Sequence, residues 1–536
     1  MIRKALATTL VLLLAFVNVA MADEFADSFY IPPIVNEGQY PVQSDEPITL
    51  SYFVPFEAQA LPHITSYKDN VAWKKHQEAT GISIDFIHPS TDTAEAFQLM
   101  LASGDLPDII EMTNPTWYSG GLLAMYNDGI IQDLTPYMED DAPQYKEVIG
   151  YSDTCTRQVT EGGMNLGFYK ITYEKTIRPY VRANLREDWL IEFGLQNPVT
   201  IADYEAYFDA ILLNKPGVTP LHIGFQSQTE IMPLSSAYDL IKSFFVEDGT
   251  VKHFWNDDNL YDFLTLMHAW YEKGYISSDF ASLTGTEVAA LFDSGNLGMY
   301  IASCDTCADR TAALENFSAT NARYMRKEAD SIVRTETANT PVTETYQVVT
   351  VVTTACKNVE AAVQFLNYGY TKEGSMLHTF GEEGVAWVYD PVTGVPNYTD
   401  LMVNNPDGWT ISHVSWINKI HASSAYVFPD AIGIPFTANN YSTKSARDLW
   451  AGEADPNVNA ELRLPPIKLS SEETDERAEL MTQVDSYGQE MLFKFIVGTE
   501  SLDRENFDAY VKKIEGYGLT RALEITQTAY DRFMSN

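Results

Sequence analysis

Histidine, cysteine and positive charge are scarce in this 536-residue sequence, and each scarcity removes a class of function. Nine histidines are scattered without metal-ligand spacing, and HExxH, GxSxG and GxxxxGK[ST] are all missing. Zinc proteases, serine hydrolases of the elbow type and P-loop NTPases therefore have no motif here. The four cysteines, Cys155, Cys304, Cys307 and Cys356, contain one close pair, too few for a four-thiolate zinc site. Cys304-Asp305-Thr306-Cys307 has no thioredoxin-like surroundings, so a local bridge is expected there, with Cys155 and Cys356 meeting or remaining free. Lys and Arg total 35 against 74 Asp and Glu, a net charge of −39. That field repels nucleic acid and anionic membranes, so no nucleic-acid partner is expected. It also argues against a polyanionic ligand, unless a local basic patch or bound cations override it. Asn256-Asp257-Asp258-Asn259 lacks the alternating oxygen ligands of an EF-hand, and no metal or cofactor is assigned.

A long apolar run occurs at the start: Arg3 and Lys4 precede the uncharged stretch Ala5 to Ala22, which closes on Ala20-Met21-Ala22. Residues 1–22 therefore read as a signal peptide cleaved after Ala22, and the mature protein as an exported, periplasmic one. What remains exceeds a single core, so two lobes are expected after an irregular lead-in at 23–46. Lobe 1 is assigned 47–172 and 355–430, lobe 2 180–350 and 431–536.

Phe97 to Met112, FQLMLASGDLPDIIEM, organises the first lobe. An apolar helical face ends at Gly104-Asp105, and Pro107 forces Asp108-Ile109-Ile110 to leave in extended form. The polar and aromatic loop after it stands at the carboxyl end of a strand, where open α/β sheets place ligands. Upstream, Ile48–Val54 is a strand, Val71–Thr80 a helix stopped by Gly81, and Ile82, Ile84 and Phe86 alternate as a second strand. Asp92 with Glu95 forms a capping-box pattern. Strand and helix in alternation predict a parallel sheet. Further on, Phe168 to Val181 reads as extended, Arg186–Phe193 and Ala202–Leu213 as helices, and Met299-Tyr300-Ile301 as a strand. Glu315 to Pro341 reads as a polar surface excursion. Tyr346 to Thr353 is a β-prone return crossing, followed by a helix over Val359–Tyr370. Trp387 to Asp400 is a hairpin candidate, and two amphipathic helices separated by Gly516 and Gly518 close the chain.

Several segments together resemble the family 1 extracellular solute-binding proteins of ABC importers, the group that includes maltose-binding protein and larger oligosaccharide-binding members. They are LASGDLPDII (101–110), DGIIQDLTPYMEDDAP (128–143), LREDWLIEFGLQNPVT (185–200), AWYEKGYISSDF (269–280), KNVEAAVQFLNYGYTKEGSML (357–377), GEEGVAWVYDPVTG (381–394) and YGLTRALEITQTAYDRF (517–533). The resemblance implies a two-lobed α/β fold of the periplasmic-binding-protein type II, hinged by crossing strands, with a ligand cleft between the lobes. It further implies a monomer that captures an oligosaccharide, performs no chemistry and delivers it to ABC transporter permease subunits. Two features depart from the family: no lipid-anchor cysteine follows the leader, and Val359 stands where proline is common.

A sugar site needs aromatic planes for C–H faces and planar polar side chains for hydroxyl pairs. Asn114 and Trp117, on the loop after Ile110, fall where the resemblance places sugar contacts. Tyr169 and Glu174 sit at the first crossing, where it places an acidic contact. Gln226 in GFQSQTE and Asp305 in the Cys304 loop are second-lobe candidates, and Trp387 and Trp416 lie in loop-like segments. Trp189 and Trp270, on helical faces, and Trp255 are left to the core. The alternative functions are a secreted glycan-active enzyme, whose carboxylate pair sequence cannot pick out among 74 acids, and a binder of peptides or other polar solutes.

Overall fold

The computed structural model describes residues 39–57, 60–61, 63–90, 92–113, 117–172, 181–303, 306–334, 348–389, 396–409, 411–420, 425–428, 458–459, 462, 464–465 and 467–535. The chain divides into two compact units, one from residues up to 175 with 339–439, the other from 176–338 with 440–536. In chain order, the two principal sheets use β1 (Ile48–Phe53), β2 (Ile82–Ile87), β3 (Ile109–Met112), β4 (Phe168–Tyr169), β5 (Val181–Arg186), β6 (Thr219–His222), β7 (Leu297–Ser303), β8 (Ala319–Asn321) and β9 (Val349–Val352).

The first unit carries the order β2-β1-β3-β9-β4. β1 pairs parallel with β2 and β3, and β9 runs antiparallel between β3 and β4. The expected local grammar is present. Asn70 caps the helix Val71–Thr80 by accepting from the Trp73 N–H, and Gly81 ends it in the left-handed conformation. Asp92 accepts from the N–H groups of Ala94 and Glu95 at the start of the helix Thr93–Ser103. β3 is buried along its whole length, as a central strand covered on both faces must be. β9 is the return strand expected near Val348, but its partners are β3 and β4. Val348 to Thr350 therefore belong to the first unit, not to lobe 2 where the sequence boundary put them.

The second unit carries β8-β5-β7-β6, with only β7 and β6 parallel. The helix Ile201–Asn214 opens on a full capping box from Thr200 and Asp203 and buries Tyr204, Tyr207, Phe208 and Ile211. Gly298 admits that helix: a Cβ there would stand 2.4 Å from Ile211 Cδ1. The stretch from Glu315 is not purely a surface excursion, since β8 and the buried Tyr324, Met325 and Arg326 lie within it. Its polarity is absorbed internally, Asn321 Nδ2 donating to Asn184 Oδ1 (3.2 Å) and the Cys307 thiol donating to the same oxygen (2.6 Å). The 27-residue helix Ser471–Val497 was also not anticipated. Its first half is polar and its buried positions start at Val484.

Cys155 and Cys356 are free and buried, and burial pushes both thiols up to about 12. Cys304 lies outside the described residues, as does the turn Asp390–Gly394, but the hairpin it closes is present: Trp387–Tyr389 pairs antiparallel with Pro396–Tyr398.

Candidate functional site

In the first unit β1, β2 and β3 are parallel and point their carboxyl ends to one edge, where a loop leaves β1 at Val54. His88, just past β2, secures that loop. Its Nδ1 meets the Val54 carbonyl at 3.0 Å, and its Nε2 meets the Tyr67 N–H at 3.2 Å and Ser66 Oγ at 3.2 Å. A backbone N–H can only donate and a carbonyl only accept, so the ring must be neutral with its proton on Nδ1. Burial lowers the His88 pKa below its ordinary value, which favours that form.

A cluster that sequence reasoning missed joins this loop, through His63, to the helix Ile411–Asn418 and the residues just before it. Trp409, 37% exposed, lies 4.0 Å from His63 between ring centroids, and His413 lies 5.3 Å from His63. Leu61 beside them is exposed. An exposed indole with the His63 imidazole against it offers an apolar face with a hydrogen-bonding ring beside it, the combination a sugar requires. The available signal was the Asp407-Gly408 turn, which takes Trp409 out of helical periodicity, whereas Trp416 lies inside the helix Ile411–Asn418.

The predicted residues fare unevenly. Trp117 is half-buried, its ring 5.7 Å from Phe97 and its carbonyl accepting from Gln98 Nε2 (2.5 Å). Part of its indole is committed to the core and part stays open. Asn114, Glu174 and Asp305 lie outside the described residues. Tyr169 is buried in β4, its carbonyl accepting from the Tyr370 hydroxyl, so it works as packing. Trp387 and Trp416 are core residues of this unit rather than stacking platforms. The Trp387 indole N–H is spent on the Gly381 carbonyl at 2.8 Å and its ring packs on Phe380. Beneath the edge, Glu111 is fully buried and accepts from the Tyr52 hydroxyl at 2.9 Å.

In the second unit the corresponding edge is formed by the carboxyl ends of β6 and β7. The loop after β6 carries the predicted Gln226, which is exposed. Its N–H donates to Glu230 Oε2 at 2.6 Å, and Glu230 also completes a capping box with Ser227 at the start of the helix Gln228–Ser235. The approach of that carboxylate requires Gly224, where a Cβ would meet Oε2 at 3.1 Å. Trp255 and Trp270 are buried, each donating its indole N–H to an acid, Asp485 and Glu205. Among the described residues no three His, Cys, Asp or Glu side chains converge on a metal position.

The chain is similar over most of its length to proteins of one kind. It is 20% identical, over 86% of both chains, to the fructooligosaccharide ABC transporter substrate-binding protein FusA of Streptococcus pneumoniae. The structure of FusA in complex with kestose superposes with a TM-score of 0.68 at 18% identity, covering 91% of this chain and all of that one. An HMO-binding, ABC-transporter-associated solute-binding protein from Bifidobacterium longum infantis gives 0.71 at 15% identity, covering 91% and 99%. Residues 61–376, more than half the sequence, match the family model for bacterial extracellular solute-binding proteins, and the chain belongs to that family.

Proposed function

We propose that this protein captures an oligosaccharide outside the cytoplasm and hands it, chemically intact, to the permease of an ABC importer. The observation that carries the reading is the exposed Trp409 against His63, which stands in the loop after β1, with His413 of the helix Ile411–Asn418 beside His63, on a solute-binding scaffold. The FusA and HMO-binding relatives, named for carbohydrate ligands, support it. In this reading Trp409 stacks on a sugar face, Trp117 and Asn114 extend the surface of the first unit, and Gln226 pairs with hydroxyls from the second. Glu174 and Asp305 remain part of the proposal on the strength of the sequence resemblance, as do the monomeric state and release into the periplasm after cleavage at Ala22.

The direct test is native mass spectrometry of the protein purified without refolding from its own host. A mass increment of a discrete oligosaccharide, released intact on denaturation, is expected. A co-purifying peptide, or conversion of added sugar by the protein, overturns the reading.

A further inference from the structure

Resting on the reading of Gln226 as a ligand-facing residue, we propose that Lys242 is the positioning residue of the second unit's ligand loop. Its ammonium holds two successive carbonyls of that loop so that Gln226 is presented in a preformed geometry. Lys242 Nζ lies 2.9 Å from the Phe225 carbonyl, 2.7 Å from the Gln226 carbonyl and 2.7 Å from Gln489 Oε1. Three donors meet three acceptors, so none is left for a sugar hydroxyl, and Lys242 acts through the loop rather than on the ligand.

The loop needs such a hold. Phe225 adopts φ +58°, the left-handed region that a bulky aromatic residue rarely enters. The conformation is clamped from both sides of the peptide. Carbonyls are taken by Lys242 and, at Phe225, also by Gln489 Nε2 (3.1 Å). Amides are taken by Glu230, from Gln226 at 2.6 Å and Ser227 at 3.3 Å. The Lys242 backbone N–H closes back on the Gln228 side-chain oxygen. Phe225 itself is buried edge-on against Phe280, which anchors the strained residue in the core.

Stability does not explain the charge. Lys242 is half-buried, with the Trp255 ring 5.3 Å from Nζ, and burial brings its pKa down to about 8 despite Asp485 and Glu230. Asp485 and Gln489 face it from the helix Ser471–Val497, Glu230 from the helix Gln228–Ser235, and His253, kept neutral by burial, from the strand before Trp255. A lysine whose folded pKa lies below its unfolded value subtracts stability while charged, and the loss is recovered as pH rises from about 8 through 10.5. A charge held against that gradient, with two of its three donors on the carbonyls of one strained loop, serves the loop's geometry.

The test uses the chain from Asp23 as wild type, Lys242→Met, Lys242→Arg and Gln226→Ala, with the tightest binder from a panel of neutral and acidic oligosaccharides that includes kestose. Lys242→Met is expected to weaken binding at least about tenfold, through lost preorganisation, while Tm moves by only a few degrees. Amides of 223–228 exchange faster in this variant. Wild-type affinity falls as pH rises through about 8, because the neutral amine keeps two N–H groups for three acceptors. Lys242→Arg, which stays charged, recovers part of the affinity with a flat profile over that range. If Gln226→Ala weakens binding and Lys242→Met does not, the role of Lys242 is overturned while the site stands. If both variants bind as wild type, the reading of this loop as ligand-facing fails, and the proposal with it. A wild-type affinity independent of pH between 7 and 9.5 also overturns it.

Discussion

The loop after β1 in the first unit and the loop after β6 in the second each leave the carboxyl end of a strand with a parallel neighbour, yet they are fastened by opposite chemistry. A neutral imidazole, His88, bridges the first through Val54, Ser66 and Tyr67. An ammonium and a carboxylate, Lys242 and Glu230, grip the second. Both satisfy backbone groups that the strand ends leave unpaired, but they answer to pH in opposite directions. Protonating His88 puts a proton on the nitrogen that must accept from Tyr67, so acid loosens the first loop. Deprotonating Lys242 removes a donor, so alkali loosens the second. Anchoring by uncharged groups contributes to stability, whereas anchoring by a desolvated charge gives geometry at a stability cost.

The largest effect that bears on this contrast comes from separating core from edge. Trp387→Ala, which removes a 2%-exposed indole and orphans the Gly381 carbonyl, is expected to lower unfolding free energy by about 3–5 kcal/mol with little effect on ligand affinity. Urea melts and calorimetric titration read the two quantities. Next, His88→Ala leaves the Val54 carbonyl and Tyr67 N–H without their partner and should cost about 2–3 kcal/mol.

Acid unfolding sharpens the same point. Burial lowers the pKa of His88 and His222, takes His76 to about 4 and His253 to about 3, and holds His378 well below its usual value. Each unfolded imidazole binds its proton at higher pH than the folded one. The stability they contribute is complete above about 6.5 and is lost progressively as pH falls towards 4. Denaturant midpoints measured between pH 7.5 and 4.5 should fall, and His88→Ala should show a shallower slope than wild type. Equal slopes would remove His88 from the account.

Smaller effects follow on the ionic side. Glu230→Gln keeps the shape but weakens the capping box and loop amide bonds, a change of about 1 kcal/mol. Trp409→Ala should lie within about 0.5 kcal/mol of wild type in stability because its ring is substantially exposed. The same variant should lose most of its carbohydrate affinity, the reverse of Trp387→Ala.

The elements of the first unit were legible because their signals are local. Asn70 and Gly81 bracket one helix, Gly104 and Pro107 end another, and Ile82 with Ile84 marks a half-covered strand. β8 was not legible, because Asn321 is tolerable in a buried strand through partners elsewhere in the chain, Cys307 and Asn184, the latter 137 positions away. Neither was the start of the helix Ser471–Val497, whose first half has no apolar stripe to show. The candidate site was the least legible part. Trp387, Trp409 and Trp416 are chemically identical in sequence, and what separates them is whether the indole packs on Phe380 or stands beside His63. Lys242 meets the Gln226 loop from 16 positions on and Gln489 meets Phe225 from 264 positions on, contacts that no spacing rule contains.

The central claim is capture of an oligosaccharide without chemistry, and isothermal titration of the mature protein with kestose and a panel of neutral and acidic oligosaccharides, followed by product analysis of the same samples, tests it most directly. Saturable binding at one site per chain, strongly weakened by Trp409→Ala and with the sugar recovered at its original length, is the predicted result. Cleavage of the sugar, or no binding to any member of the panel, contradicts it.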